Sequence, residues 1–138
     1  MLSDDFFKDN KETFDIIFID GDHSYKQSKK DFINAWKVLN KGGVIVLHDS
    51  LPHNKEYTSM LWNGEVFKTI KDITNWKLNY YIVDTDHGCT VVKKSNHKLI
   101  EPRTKENYTY EMYVEDKKKW NIITTEDFML AMTTPDFL

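Results

Sequence analysis

The chain has 138 residues, of which 40% are hydrophobic and 14% aromatic, and 19 basic against 22 acidic residues leave a net charge of −3. That length suits one compact domain, and that apolar content excludes a disordered chain. The clearest basic run, Lys117-Lys118-Lys119, follows Glu115-Asp116; it reads as a solvated face, so nucleic acid is not expected as a partner.

The first residues, Met1-Leu2-Ser3-Asp4-Asp5, lack the pattern of a signal peptide, and no apolar run approaches the length of a membrane span. Phe14-Asp15-Ile16-Ile17-Phe18-Ile19 is nearly continuously apolar and ends in Asp20-Gly21. It predicts a short strand covered on both faces, as in a parallel sheet. Ser24 offers an N-cap with Gln27 as its capping-box partner. Phe32, Trp36 and Leu39 then share one helical face, and Gly42-Gly43 is expected to stop that helix. Val44 to Leu47 predicts a second two-face-buried strand ending at His48-Asp49, which closes a right-handed strand–helix–strand crossover.

A polar loop is expected from Ser50 to about Ser59. Asn63 is expected to cap a short helix with Val66, Ile70 and Ile73 inward. Leu78 to Val83 and Cys89 to Lys93 predict two further strands, joined as a hairpin through Asp84 to Gly88. Cys89 is the single cysteine, read as a small buried strand residue, and a chain without a possible disulfide fits a reducing, cytoplasmic setting. Asn96 to Asn121 predicts mixed loop and irregular strand. Thr124 or Thr125 is expected to cap a last helix whose Phe128, Met129 and Met132 pack in the core. The fold class is α/β, with residues 1–94 as the domain proper and 95–138 as a C-terminal extension packed on it.

Asp20 and Asp49 fall just past two consecutive parallel strands, the edge at which open α/β sheets bind ligands. Asp20, His48 and Asp49 are candidate ligands for Mg²⁺ or Mn²⁺. His23, whose ordinary pKa lies near neutrality, is a candidate general base acting beside Asp49. Asp22 is read as a turn residue, or with Asp20 and Asp49 as part of a metal-dependent hydrolase. His53, His87 and His97 are expected to be surface histidines.

Phe14 to Tyr25 and Leu39 to Asp49 together resemble class I S-adenosylmethionine-dependent methyltransferases of the polysaccharide and natural-product group. Trp62 to Lys68, Asp84 to Cys89 and Asn121 to Phe128 are similar to later segments of that group. The resemblance implies a Rossmann-like sheet of which this chain supplies the fourth to seventh strands, the last two as an antiparallel hairpin. It implies S-adenosylmethionine as cofactor, with Ser3 and Asp4 near its adenine and Asp20, Gly21 and His23 also in contact. It further implies a divalent ion at Asp20, His48 and Asp49, and O-methyl transfer to a sugar or small hydroxylated metabolite. With only five glycines and none in a Gly-x-Gly-x-Gly pattern before the first strand, the chain reads as the C-terminal half of such a domain. The cofactor-side loop is missing and cofactor binding by this chain alone is expected to be weak. The strand at 14–19 would then present an open edge, fit for a homo-oligomer or a separate N-terminal half. The alternative is a non-catalytic methyltransferase-like binding subunit. A dinucleotide dehydrogenase is disfavoured by the missing Gly-rich fingerprint.

Overall fold

β-Branched and aromatic side chains hold Phe14–Ile19 extended as strand β1. The computed structural model describes residues 2–100 and 107–134. Helix α1, Ser3–Asp9, precedes β1 and fully buries none of its residues, with Phe7 packed partly buried against the core. Its ends complement the helix dipole, with Asp4 and Asp5 in the first turn and Lys8 in the last.

Ser24 caps helix α2, Tyr25–Val38, by accepting the Gln27 N–H at 3.2 Å. The face carrying Phe32, Ala35 and Trp36 is buried. Gly42-Gly43 does not stop this helix, because α2 ends at Val38 and strand β2, Leu39–Leu47, begins at once. The glycines instead lie where the parallel β1–β2 register slips between Phe14 and Ile16. A Cβ on Gly43 would stand 2.7 Å from the Asp15 carbonyl oxygen, so only glycine allows this approach of the two backbones.

Asn63 does not cap helix α3, Val66–Asn75; Glu65 occupies that position without a side-chain cap. Asn63 is fully buried and donates its amide to the His87 carbonyl at 3.1 Å. Ser28 on α2 and Thr69 on α3 share a buried hydrogen bond of 2.7 Å. Strands β3, Asn79–Val83, and β4, Cys89–Lys93, form the expected hairpin. β4 inserts between β2 and β3, antiparallel to both.

The stretch expected as irregular contains helix α4, Tyr110–Asp116, capped by Thr109, and just beyond it strand β5, Ile122–Ile123, runs parallel to β3. α4 buries only Tyr113, which leaves no periodic pattern to read; the 101–106 part of the stretch lies outside the described residues. The sheet therefore has five strands in the order β1-β2-β4-β3-β5. Thr124 does cap helix α5, Thr125–Ala131, but its methionines are not core: Met129 is 65% and Met132 61% exposed.

The core lies between one sheet face and α2 with α3, around Phe32, Ile45, Leu47, Ile70, Ile73 and Val92. Tyr113 packs into the same core. The opposite face corrects the two-face-buried expectation for β1 and β2. Ile16 and Phe18 are 70% and 60% exposed. Val44, Val46 and Val91 floor an open groove of about 620 Å³ that Phe128 and Met132 of α5 only partly cover. Among the described residues no helix is long and apolar enough to cross a membrane.

Candidate active site

Ile19 and Leu47 are register partners at the ends of β1 and β2, and the His48 N–H continues the ladder to the Ile19 carbonyl at 3.1 Å. The loop Asp20–His23 and the pair His48-Asp49 therefore leave the sheet side by side. Asp49 is buried and holds φ +60°, a left-handed conformation that ends the strand abruptly. His23 Nε2 lies 2.9 Å from Asp49 Oδ2. His48 Nδ1 lies 3.1 Å from the same oxygen and 3.4 Å from Asp20 Oδ1.

Asp20, His23 and Asp49 each offer a ligand atom, and these atoms lie within 4.8 Å of one another. The sequence reading set His48 among the ligands and His23 as the base, and both rings lie against Asp49 Oδ2. Here His23 joins the two carboxylates, while His48 pairs through Nε2 with Asp86 Oδ2 at 3.1 Å. The buried Nδ1 atoms of both histidines have no hydrogen-bond partner among the described residues. Burial works against a charged His48, but Asp49, Asp86 and Asp20 together outweigh it and raise the imidazole pKa above its ordinary value. Burial, reinforced by the same three carboxylates, pushes the Cys89 thiol up, so this half-buried residue is a poor nucleophile.

Asp22 belongs to the turn and not to the cluster. Its Oδ1 accepts the Ser24 N–H at 2.7 Å, and hydrogen bonds from Ser24 hold its carboxyl below the usual range. The tie removes one of the three carboxylates on which a hydrolase reading depends.

Beside β1 lies a hollow of about 320 Å³ lined by Ser3, Phe6, Phe18, Asp20, Gly21 and Asp31, among others. Ser3, Asp20 and Gly21 of the expected cofactor set thus share one concavity. The Asp4 side chain is engaged elsewhere: Lys30 Nζ stands 2.7 Å from its Oδ2 and Gln27 Nε2 3.1 Å from its Oδ1. Lys30 and then Gln27 hold its carboxyl below the usual range. Gln27 Nε2 also approaches Ser3 Oγ at 3.2 Å and Asp31 Oδ1 at 2.9 Å. Its two amide hydrogens cannot serve all three acceptors at once. Asp31, at 5% exposure, has the shortest of the three contacts and lines the hollow.

Two residues of the site were not singled out by sequence reasoning. Asp86 was read only as part of a hairpin connection, and it carries φ +44° in a turn that reaches over to His48. His87, expected at the surface, is half-buried against Tyr57, Trp62 and His53. Clustered left-handed positions in a turn leave no mark in the sequence beyond Gly88, whose φ is +89°. His53 and His97 are exposed.

Comparison with known proteins bears on the same region. Residues 1–50 match the family model described as a methyltransferase domain. An uncharacterised protein, R132 of Acanthamoeba polyphaga mimivirus, is 39% identical over 59 residues, which is 43% of this chain and 24% of that protein. The chain thus aligns with about a quarter of the relative's length. The five-stranded α/β sheet with its flanking helices is consistent with a partial Rossmann-like methyltransferase fold. The segment similar to a methyltransferase domain is the one that carries α1, β1, α2, β2 and the cluster Asp20, His23 and Asp49.

Proposed function

We propose that this chain is the acceptor-side and metal-side part of an S-adenosylmethionine-dependent O-methyltransferase acting on a hydroxylated small molecule. One observation carries the reading: Asp20, His23 and Asp49 converge at adjoining strand ends within the 50 residues that match a methyltransferase domain. The donor set suits a divalent cation such as Mg²⁺ or Mn²⁺, since two carboxylates and an imidazole supply mixed oxygen and nitrogen ligands. The unpartnered, buried His23 Nδ1 marks a ring held in place by its surroundings and not by its own second hydrogen bond. A cation bound there would lower the pKa of an acceptor hydroxyl.

His48 then takes the part of proton acceptor that the sequence reading gave to His23. With Nε2 paired to Asp86 and Nδ1 beside the Asp20 and Asp49 carboxylates, the ring would be stabilised from both sides once it has taken up a proton. Asp86 orients that ring and stabilises it when protonated. S-adenosylmethionine would supply the methyl group. Phe6 and Phe18 would face its adenine in the hollow beside β1, and Asp31 would accept from a polar hydrogen there. Its methionine and ribose parts would be held by a segment outside these 138 residues. The open β1 edge, with Ile16 and Phe18 exposed, would pair with that segment or with a second copy. A non-catalytic binding subunit would keep this pairing and lose the cation.

Calorimetric titration of Mn²⁺ into the protein and into Asp49→Asn tests the centre of the proposal. Removing one of two carboxylates should weaken binding by at least about tenfold, the order of effect seen when a ligand's support is lost. Equal heats from both proteins, or none from either, would remove the metal. Equilibrium dialysis with labelled S-adenosylmethionine tests the hollow. Displacement by S-adenosylhomocysteine but not by adenosine diphosphate supports it, and no retention even at high protein concentration opposes it.

A further inference from the structure

Asp49 is followed at once by a strip of backbone, Ser50 to His53, that is hydrogen-bonded on two sides. The Ser50 and Leu51 N–H groups donate to the Gly88 and His87 carbonyls of the β3–β4 turn at 3.1 and 2.8 Å. From the other side, the Tyr113 hydroxyl of α4 donates to the Pro52 carbonyl at 3.1 Å, and the Tyr110 hydroxyl to the His53 carbonyl at 3.4 Å. Ser50, Leu51 and Pro52 are buried, a low-dielectric setting in which such bonds are strong.

The strip also touches the turn through its backbone: a Cβ on Gly88 would stand 2.7 Å from the Leu51 nitrogen. Segments packed this closely pass a displacement from one to the other. The turn presents Asp86, whose Oδ2 lies 3.1 Å from His48 Nε2, and it does so with φ +44° at Asp86 and +65° at His87. Left-handed residues of this kind persist only where their surroundings over-determine them. Asn63 supplies one constraint through the His87 carbonyl, and the Ser50 and Leu51 bonds supply the others.

Tyr113 is the fixed point behind the strip. It is 0% exposed, and its ring lies 5.2 Å from that of Phe67 on α3 and 5.6 Å from that of Trp120. A phenol so enclosed must place its hydroxyl hydrogen on a partner, and the Pro52 carbonyl accepts it. Packing alone would be served as well by phenylalanine. The outer link between α4 and the loop is weaker: Lys55 and Glu111 pair at 2.8 Å, but their side chains are 71% and 65% exposed.

We infer that Tyr113 is a positioning residue of the site: its hydroxyl, through Pro52, holds the strip after Asp49 against the β3–β4 turn and so keeps Asp86 on His48. Helix α4 thereby serves the site without touching cation or acceptor. The inference rests on the reading of His48 and Asp86 as the proton-accepting pair and names what holds that pair together.

Tyr113→Phe keeps the ring and removes the hydroxyl. Phe67→Leu loosens the same packing and leaves the hydroxyl, so it is the comparison. Native-state amide hydrogen exchange, followed by NMR on ¹⁵N-labelled protein, compares Ser50 and Leu51 with Ile45 and Val92 of the central strands. In Tyr113→Phe the Ser50 and Leu51 amides should exchange about tenfold faster relative to the two strand amides, the order expected from losing one hydrogen bond to a buried carbonyl. In Phe67→Leu all four should change together. At fixed pH, the His48 Cε1–H signal should move in Tyr113→Phe toward its position in Asp86→Asn, and stay in place in Phe67→Leu. Exchange that rises equally at all four amides in Tyr113→Phe, or at none, overturns the inference, and so does an unmoved His48 signal. If the wild type binds no Mn²⁺ while the His48 signal still follows Tyr113, the positioning stands and the metal reading falls. Mn²⁺ binding with an unmoved His48 signal keeps the metal and removes the positioning.

Discussion

Gly64 is where backbone geometry and the candidate site meet most tightly, so replacing it with alanine separates two physical effects. Gly64 holds φ +59°, and a Cβ there would stand 2.5 Å from His23 Cβ and 2.7 Å from the His23 carbonyl oxygen. Ordinary carbon contacts begin near 3.5 Å, so one of the two segments must move by roughly 1 Å. A left-handed alanine costs about 1 kcal/mol, and forcing a methyl into packed surroundings adds about 1–3 kcal/mol. The expected loss for Gly64→Ala is therefore about 2–4 kcal/mol, out of a total stability on the order of 5–15 kcal/mol. Gly42 provides the comparison. It holds φ +78°, but its added Cβ would find nothing within 4 Å, so Gly42→Ala should cost only the conformational part, about 1 kcal/mol. Urea unfolding followed by far-ultraviolet circular dichroism measures both, with lower midpoints and unchanged slopes expected. Mn²⁺ titration should then be weakened in Gly64→Ala, because His23 is displaced, and unaltered in Gly42→Ala. Equal stability losses in the two variants would refute the steric argument. A Gly64→Ala protein that binds Mn²⁺ like the wild type would show that His23 does not depend on this contact.

Asp116 gives a pH dependence of defined sign. Burial raises its carboxyl pKa, but the Tyr108 hydroxyl at 2.6 Å and Lys71 Nζ at 3.1 Å lower it further, so the folded value lies below the unfolded one. This stability is present above the unfolded pKa of about 3.9 and disappears as pH falls through the folded value. Asp116→Asn should therefore have a lower urea midpoint than the wild type at neutral pH, and the gap should close in strong acid; a gap independent of pH would contradict it. On β1, Ile16→Lys with Phe18→Lys charges an edge strand whose side chains are already exposed, so the fold should survive while association through that edge is lost. Light scattering after size exclusion should show the wild type associating and the double variant monomeric. A wild type that stays monomeric at high concentration would speak against pairing at this edge.

Local chemistry was legible in the sequence wherever one segment was enough to specify it. Ser24 caps α2, Thr124 caps α5, and Cys89–Lys93 pairs with its neighbour across a tight turn. The strand ends at Asp20 and Asp49 were legible for the same reason, since each run of apolar residues stops at a carboxylate. Coverage by distant segments was not legible. The run Phe14–Ile19 reads as buried on two faces, yet what would cover Ile16 and Phe18 is absent from the described residues, and an apolar strand gives no sign of that. Gly42-Gly43 misled because a glycine pair after a helix resembles a stop, whereas here close approach to Asp15 demands it. Methionines at helical spacing in α5 misled in the same way: amphipathic periodicity shows which residues share a face, not whether anything packs on it. The placement of Asp86 and His87 depended on a turn with three consecutive positive φ values, which no spacing rule foresees.

Asp49 shows why the clustering at the strand ends was legible in the sequence but its geometry was not. A carboxylate after a strand is commonplace; one held at φ +60° with 6% exposure is not. Such a conformation persists only where neighbours over-determine it. Here the His48 N–H binds the Ile19 carbonyl on one side and the Ser50 N–H binds the Gly88 carbonyl at 3.1 Å on the other. Those two bonds fix the residues flanking Asp49 to β1 and to the β3–β4 turn, so the left-handed step between them is imposed by the sheet itself. The consequence is that His23, from the first loop, and Asp86, from the last turn, are brought to the two ends of the His48-Asp49 pair by one piece of backbone. Asparagine tolerates this conformation as well as aspartate does, whereas alanine does not. Asp49→Asn therefore removes the charge while keeping the backbone, and Asp49→Ala disturbs both. If the carboxylate serves a cation and not the fold, Asp49→Asn loses Mn²⁺ with its unfolding midpoint little changed, and only Asp49→Ala loses both.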